Sequence, residues 1–304
     1  MRVLVTGASG LIGSHVVRAL AGRGHAIFAA TRKNKMAESQ QHQPGDIHFV
    51  EFDLNDAAGV LSAVNQIRPE VTVHLAWYAV PGKFWKAPAN LECVNATLKL
   101  ARVLAEAGCR RLLIAGSCAE YDWNYGFLSE KCTPLEPQTL YGVCKNALRE
   151  ILETYCLETS MQFAWTRLFY LYGPGENCER FVPSIILPLL RGENANCTSG
   201  KQVRDFLHVE DMAGAVSAVA TSAFTGAINV GSGQPVAIRT MVETIARILG
   251  CLDRVVFGAI PNSPSEPPFV VADVRRLSQE IGWRPSYTLE DGLSQTVDWW
   301  RANS

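Results

Sequence analysis

The sequence predicts an α/β fold, a doubly wound parallel sheet with a smaller C-terminal substrate-binding lobe. Three observations predict it. Short apolar runs alternate with helical patterns through the first half of the chain, a glycine-rich turn follows the first run directly, and after Tyr172 the alternation gives way to loop-like, proline-broken segments. Strands buried on both faces read as continuous apolar runs, and helices between them make the sheet parallel.

Taken in order, "RVLVTG" is the first strand, with a helix over about Leu11 to Arg23. "HAIFAAT" and "IHFVEFDL" are the next strands, "DAAGVLSAVNQI" is helical and "VTVHLAW" is the fourth strand. A long helix covers "NLECVNATLKLARVLAEAG" and ends at Gly108, as helices often end at glycine. "RRLLIAGS" and "FAWTRLFY" complete the strand series, with a helix between them over Thr139 to Tyr155. On that helix Leu140, Val143, Ala147, Leu148, Ile151 and Leu152 recur at helical spacing and are expected to face a core. Beyond, "VPSIILPLLRGE" is a proline-broken helix and "NSPSEPPF" an irregular connection. The expected division is residues 1–168 for dinucleotide binding, with a segment returning near 205–232, and 169–304 mainly for substrate.

Bulk properties exclude several functions. With 304 residues, 48% of them hydrophobic, the chain can bury a sizeable core. A net charge of -1 without a basic run leaves no nucleic-acid footprint. No apolar stretch approaches a membrane span. "MRVLVTG" leaves no room for a signal peptide, so a cytoplasmic location is expected. Nine scattered cysteines without CxxC read as reduced thiols, and six dispersed histidines offer no metal-ligand spacing.

"VTGASGLIGSHVVRAL" sets Gly7, Gly10 and Gly13 between a strand and a helix, where backbone must turn sharply and approach a pyrophosphate. A tight strand-to-helix turn is the plainer alternative. At the end of the second strand, Thr31 stands where a carboxylate would select NAD, and Arg32 and Lys33 follow. Losing an anion and gaining two cations favours a 2′-phosphate, hence NADP, with NAD as the alternative. Solvated loop charges would explain the same two residues. Asp53 and Leu54 are expected to bracket the adenine unless Asp53 only caps a turn.

"TGASGLIG", "VHLAW", "AGSCAEY", "YGVCK", "YGPG", "QVRDFLHVEDM", "NVGSG" and "IGWRP" appear in the order seen in extended short-chain dehydrogenases. Along essentially its whole length the chain resembles the NAD-dependent epimerase/dehydratase family of nucleotide-sugar enzymes. The resemblance implies a Rossmann-type domain, a cofactor site that also includes Ser9, Leu11, Ile12, Leu75, Ala76 and Phe169, and a catalytic set of Ser117, Tyr141 and Lys145. A free phenol titrates near pH ~10. A neighbouring ammonium, helped by the positive charge of the oxidised nicotinamide, is expected to lower that value so that Tyr141 can exchange a proton, while Ser117 holds the same substrate oxygen and Lys145 reaches the cofactor ribose.

The resemblance also narrows the reaction. Dehydratases place Asp and Glu after the Ser/Thr, where this chain has Cys118 and Ala119, so elimination lacks its acid and base. Cys118 is expected to pack rather than act as a base. What remains is carbonyl–alcohol redox. The leading expectation is NADPH-dependent reduction of a keto group on a nucleotide-activated deoxysugar. A 4-epimerase with tightly held nicotinamide, a reductase of a non-nucleotide ketone or aldehyde, and a non-catalytic NADP-binding protein are the alternatives. Arg204 matches an arginine aimed at the substrate diphosphate, unless it forms a buried pair with Asp205 or Asp211. Arg180 and Trp77 are further substrate candidates, with Tyr78, Phe84 and Trp85 making the loop after the fourth strand aromatic. His74 is expected to be packed, and His208 and Asp211 to be structural. The family's dimers form through the helices near 95–107 and after Tyr141, so a homodimer is expected, with Leu100, Val103, Leu148 and Cys156 on outward faces unless they pack against the sheet.

Overall fold

The computed structural model describes residues 1–32, 46–51 and 53–304, so Lys33 lies outside the described residues. Seven strands form one sheet: β1 (Arg2–Thr6), β2 (Ala26–Thr31), β3 (Ile47–Glu51), β4 (Val71–His74), β5 (Arg111–Ser117), β7 (Gln162–Leu168) and β11 (Gly226–Val230). Their spatial order is β11-β7-β5-β4-β1-β2-β3, and every pairing is parallel. The order reverses between β1 and β4. Connections there leave on opposite sides and open a crevice beyond the strands' carboxyl ends.

Helices cover both faces. α1 (Leu11–Ala21) and α6 (Val209–Thr221) bury Val16, Val17, Leu20, Met212, Val216 and Val219 on one side. α2 (Ala57–Ile67), α3 (Ala89–Glu106) and α4 (Leu140–Glu158) bury Val60, Val64, Leu100, Leu104, Leu148 and Leu152 on the other. The lobe packs α5 (Phe181–Leu190), α7 (Ile238–Leu249) and α9 (Leu289–Asn303) around Ile185, Ile186, Met241, Ile245 and Val297. A second sheet orders β12 (Pro235–Ala237), β10 (Val203–His208), β14 (Phe269–Ala272) and β6 (Phe127–Leu128), with β8 (Tyr170–Tyr172) also pairing β10.

α4 carries two adjacent stripes of residues four apart, and only one meets the sheet. Cys144, Leu148, Leu152 and Cys156 are buried, whereas Val143, Ala147 and Ile151 are exposed. The expectation that all the apolar positions face a core is therefore corrected. One face of a helix covers roughly a third to a half of its circumference, and the sheet offers no second surface. The expected outward face is corrected for the same reason. Leu100, Val103, Leu148 and Cys156 are core residues, and the large apolar side chains exposed on α3 and α4 are Leu91, Val143, Ile151 and Leu157. Among the described residues no helix is long and apolar enough to cross a membrane.

Candidate active site

Two glycines let the β1–α1 turn close onto the end of β4. Gly7 has φ +69°, and a Cβ there would lie 2.8 Å from the Ala76 nitrogen. A Cβ on Gly13 would come within 2.0 Å of the Gly7 carbonyl oxygen. Leu75 continues the contact by donating its N–H to the Thr6 carbonyl at 3.2 Å. α1 then begins with Gly10 at its cap, without a capping side chain and without an acid in the first turn. Its first N–H groups face an anion-ready surface along Ser9, Gly10, Leu11 and Ile12. A side chain at Gly7 or Gly13 would collide with the Ala76 or Gly7 backbone, so these glycines permit the tight strand-to-helix turn that suits a pyrophosphate at the helix start. Thr31 is buried and Arg32 exposed at the end of β2. Asp53 caps a turn, accepting from the Asn55 N–H at 2.9 Å, while Leu54 packs on the α2 side of the core.

Ser117 ends β5, and Tyr141 and Lys145 lie one turn apart on α4, whose start Thr139 caps by accepting from the Gly142 N–H at 3.1 Å. Three rings enclose the Tyr141 phenol edge-on: Phe84 at 4.9 Å, Trp85 at 5.8 Å and Trp77 at 6.3 Å between centroids. Trp77 is anchored by its indole N–H, which donates to Asn90 Oδ1 at 2.8 Å. Burial pushes the phenol above its ordinary value, and a hydrogen bond with the Ser117 side chain pulls it back in part. Tyr141 is thus held as a neutral phenol.

Lys145 does not point at that phenol. Its Nζ donates to the Ala115 carbonyl at 2.7 Å and lies 3.5 Å from the centroid of the Trp77 ring, but 6.0 Å from the centroid of the Tyr141 ring. Burial pushes its ammonium down to about 7, opposed mainly by the charge of Glu120. Desolvation therefore dominates at the phenol, while the Lys145 ammonium is engaged by Ala115 and Trp77.

A buried acid forms the back wall. Glu120 is fully buried and accepts from the Ser117 N–H at 2.7 Å, from the Trp165 indole at 2.9 and 3.0 Å, and from Arg167 Nε at 2.7 Å. Arg167 continues to the Tyr121 hydroxyl at 3.0 Å, which donates to Asn229 Oδ1 at 2.8 Å. Gly116 makes room for this wall, since a Cβ there would lie 2.0 Å from Trp165 Nε1 and 2.6 Å from Glu120 Oε1. The sequence pattern singles out neither Glu120 nor Trp123, which sits edge-on to Trp85 at 6.0 Å. A buried acid in a short turn has no periodicity to mark it.

Other candidates separate. Arg180 reaches the crevice, donating to the Ala79 carbonyl at 3.0 Å with its guanidinium 5.5 Å from the Phe84 ring. Arg204 is buried and pairs at 2.9 Å with Glu266, not with Asp205 or Asp211, and lies 5.6 Å over Tyr170. Asp205 is occupied by the Ser232 and Gly233 N–H groups, and Asp211 by those of Ser286 and Tyr287. The Phe169 side chain packs with Cys118, Tyr121 and Leu128. Burial pushes the Cys118 thiol up to about 12, so it is a packed thiol. His74 is buried between the Thr6 and Thr97 hydroxyls at 2.7 and 2.9 Å and is pushed down to about 3 by burial, a packed neutral ring. Among the described residues no three metal-ligating side chains gather.

A doubly wound sheet whose first turn fits a pyrophosphate and whose fifth strand presents Ser117 to a Tyr–Lys helix defines an NAD(P)-dependent enzyme of the extended short-chain dehydrogenase type. The chain belongs to the NAD dependent epimerase/dehydratase family, whose model matches residues 3–231. It is 29% identical over 253 residues to dTDP-6-deoxy-L-talose 4-dehydrogenase (NAD(+)) of Aggregatibacter actinomycetemcomitans, covering 80% of this chain and 88% of that protein. The UDP-glucose 4-epimerase of Thermus thermophilus, solved with NAD, superposes with a TM-score of 0.87 at 26% identity over the full length of both chains. MoeE5, solved with UDP-glucuronic acid and NAD, superposes with a TM-score of 0.85 at 29% identity, again over both full chains.

Proposed function

We propose that the protein reduces a keto group on a nucleotide-activated deoxysugar at the expense of NADPH. The observation that carries this reading is the geometry at Tyr141, a phenol one turn from Lys145 inside an enclosure of Phe84, Trp85 and Trp77 whose burial favours its protonated form. A ketone being reduced needs a proton donor at its oxygen, and a phenol kept protonated is one. A dinucleotide held with its pyrophosphate at the glycine-rich turn would supply the hydride from its nicotinamide. Tyr141 gives the proton, Ser117 orients the carbonyl oxygen, and the Phe84, Trp85 and Trp77 rings exclude water. Lys145, held at the Ala115 carbonyl, would hold the cofactor ribose. Cys118 and Ala119 leave no acid–base pair for elimination, consistent with redox alone.

Preference for NADP rests on Thr31 and Arg32: the first removes the anion that a 2′-phosphate would repel, and the second offers an exposed cation. A diphosphate reaching Arg204 has to displace Glu266, whereas Arg180 already borders the crevice. The likeness to 4-epimerases supports one rival, in which the nicotinamide stays bound and is recycled. Purified protein assayed with nucleotide 4-keto sugars should consume NADPH at the nicotinamide absorbance. Sugar interconversion with retained nicotinamide and no net consumption would give the epimerase instead.

The apolar side chains exposed on α3 and α4 support a homodimer in which these helices form the contact. Ile151→Glu is expected to convert the dimer to a monomer by light scattering with its circular dichroism unchanged. A wild-type monomer would end that assignment.

A further inference from the structure

Glu176 lies in the stretch between β8 and α5, and it is a buried acid of a different kind from Glu120. Its side chain is 8% exposed, and its Oε2 has no hydrogen-bond partner. The chain around it spans the crevice. A Cβ at Gly175 would lie 3.9 Å from Leu11 Cδ1, in the first turn of α1, and Arg180 rests on Phe84 and the Ala79 carbonyl beside Tyr141. Arg180 is close enough for its charge to act on both Tyr141 and Glu176. Its guanidinium is directed to Ala79 and Phe84, and no ion pair with Glu176 forms. A buried oxygen without a partner is costly, and such groups persist where function supplies the partner.

We propose that Glu176 is a ligand-recognition residue, its carboxyl exchanging a hydrogen bond with an uncharged hydroxyl or carboxamide of a molecule lying between the glycine-rich turn and Tyr141. The assignment deepens the proposed function and rests on it. Burial pushes the carboxyl up to about 8, so at neutral pH it is an acid with one O–H to donate and lone pairs to accept, matched to a neutral polar group. Two sources carry that chemistry, the nicotinamide carboxamide and a sugar hydroxyl.

The test uses the intact protein and its Glu176→Gln and Glu176→Leu variants in titration calorimetry. The probes are NADPH, the same dinucleotide lacking nicotinamide (2′-phospho-ADP-ribose), UDP-glucose and UDP. Glu176→Leu is expected to weaken NADPH or UDP-glucose by about ten-fold or more, while melting no lower than wild type. Glu176→Gln, which keeps a donor and an acceptor, should stay within about three-fold. Loss confined to NADPH and absent for 2′-phospho-ADP-ribose assigns the carboxamide. Loss confined to UDP-glucose and absent for UDP assigns the sugar hydroxyl. Unchanged affinity for all four probes overturns the proposal, as does equal weakening of all four with a lowered melting temperature. Because affinity is read and not turnover, failure of the proposed reaction would not mimic failure of this assignment.

Discussion

Two acids of this chain are buried, Glu120 and Glu176, and their surroundings could hardly differ more. Behind Ser117, Glu120 is met by a guanidinium, an indole and a backbone N–H, each within 3.0 Å. Between β8 and α5, Glu176 buries an oxygen that no hydrogen bond meets. A carboxyl whose partners all come from the fold serves the fold. One that is left unmatched has a place for something that arrives. The first wall fixes where Ser117 sits, and the second is free to discriminate.

Four measurements would break or sharpen that contrast. Tyr141→Phe should lower kcat/KM by about a thousand-fold while leaving NADPH affinity unchanged. Activity retained within ten-fold would remove the phenol as proton donor. Glu120→Ala strands Arg167 in the interior and should cost about 3–5 kcal/mol in urea unfolding, against no loss for Glu176→Gln. Equal losses at the two positions would erase the distinction. The pH dependence should differ as well. The folded-state pKa of Glu176, about 8, lies above its ordinary value, so the stability it contributes is complete below the usual carboxylate range and is lost as pH rises through about 8. Melting curves of wild type and Glu176→Gln should therefore separate between pH 5 and 8, with wild type declining more steeply. Superimposable slopes would contradict the raised value. Smallest is Arg32→Ala, for which about ten-fold weaker NADP with little change for NAD is expected in competitive titration. An equal loss for both would remove the 2′-phosphate contact.

Much of this architecture is legible in the sequence because it is written in local spacing. The alternation of apolar runs, the turn at Gly7, Gly10 and Gly13, and the four-residue step from Tyr141 to Lys145 all lie within single elements. What could not be read depends on distant chain. Glu120 meets Trp165 and Arg167 at separations of 45 and 47 residues, and Glu266 takes Arg204 across 62. The spacing on α4 shows two apolar stripes, but only the position of the sheet decides that Leu148 and Leu152 go inside while Val143 and Ile151 stay out. The direction of the Lys145 side chain is likewise set by distant chain. Proximity along a helix placed the Lys145 ammonium near Tyr141, yet the Ala115 carbonyl and the Trp77 ring claim it.

The claim of Trp77 on Lys145 has an optical consequence. An ammonium 3.5 Å from an indole centroid sets the electric field in which that chromophore emits, and Trp85 and Trp123 stand in the same enclosure. Anything drawing Lys145 off the ring would change the ultraviolet emission of the protein. The chain therefore carries its own dye at the mouth of the crevice, and occupancy can be followed without a label.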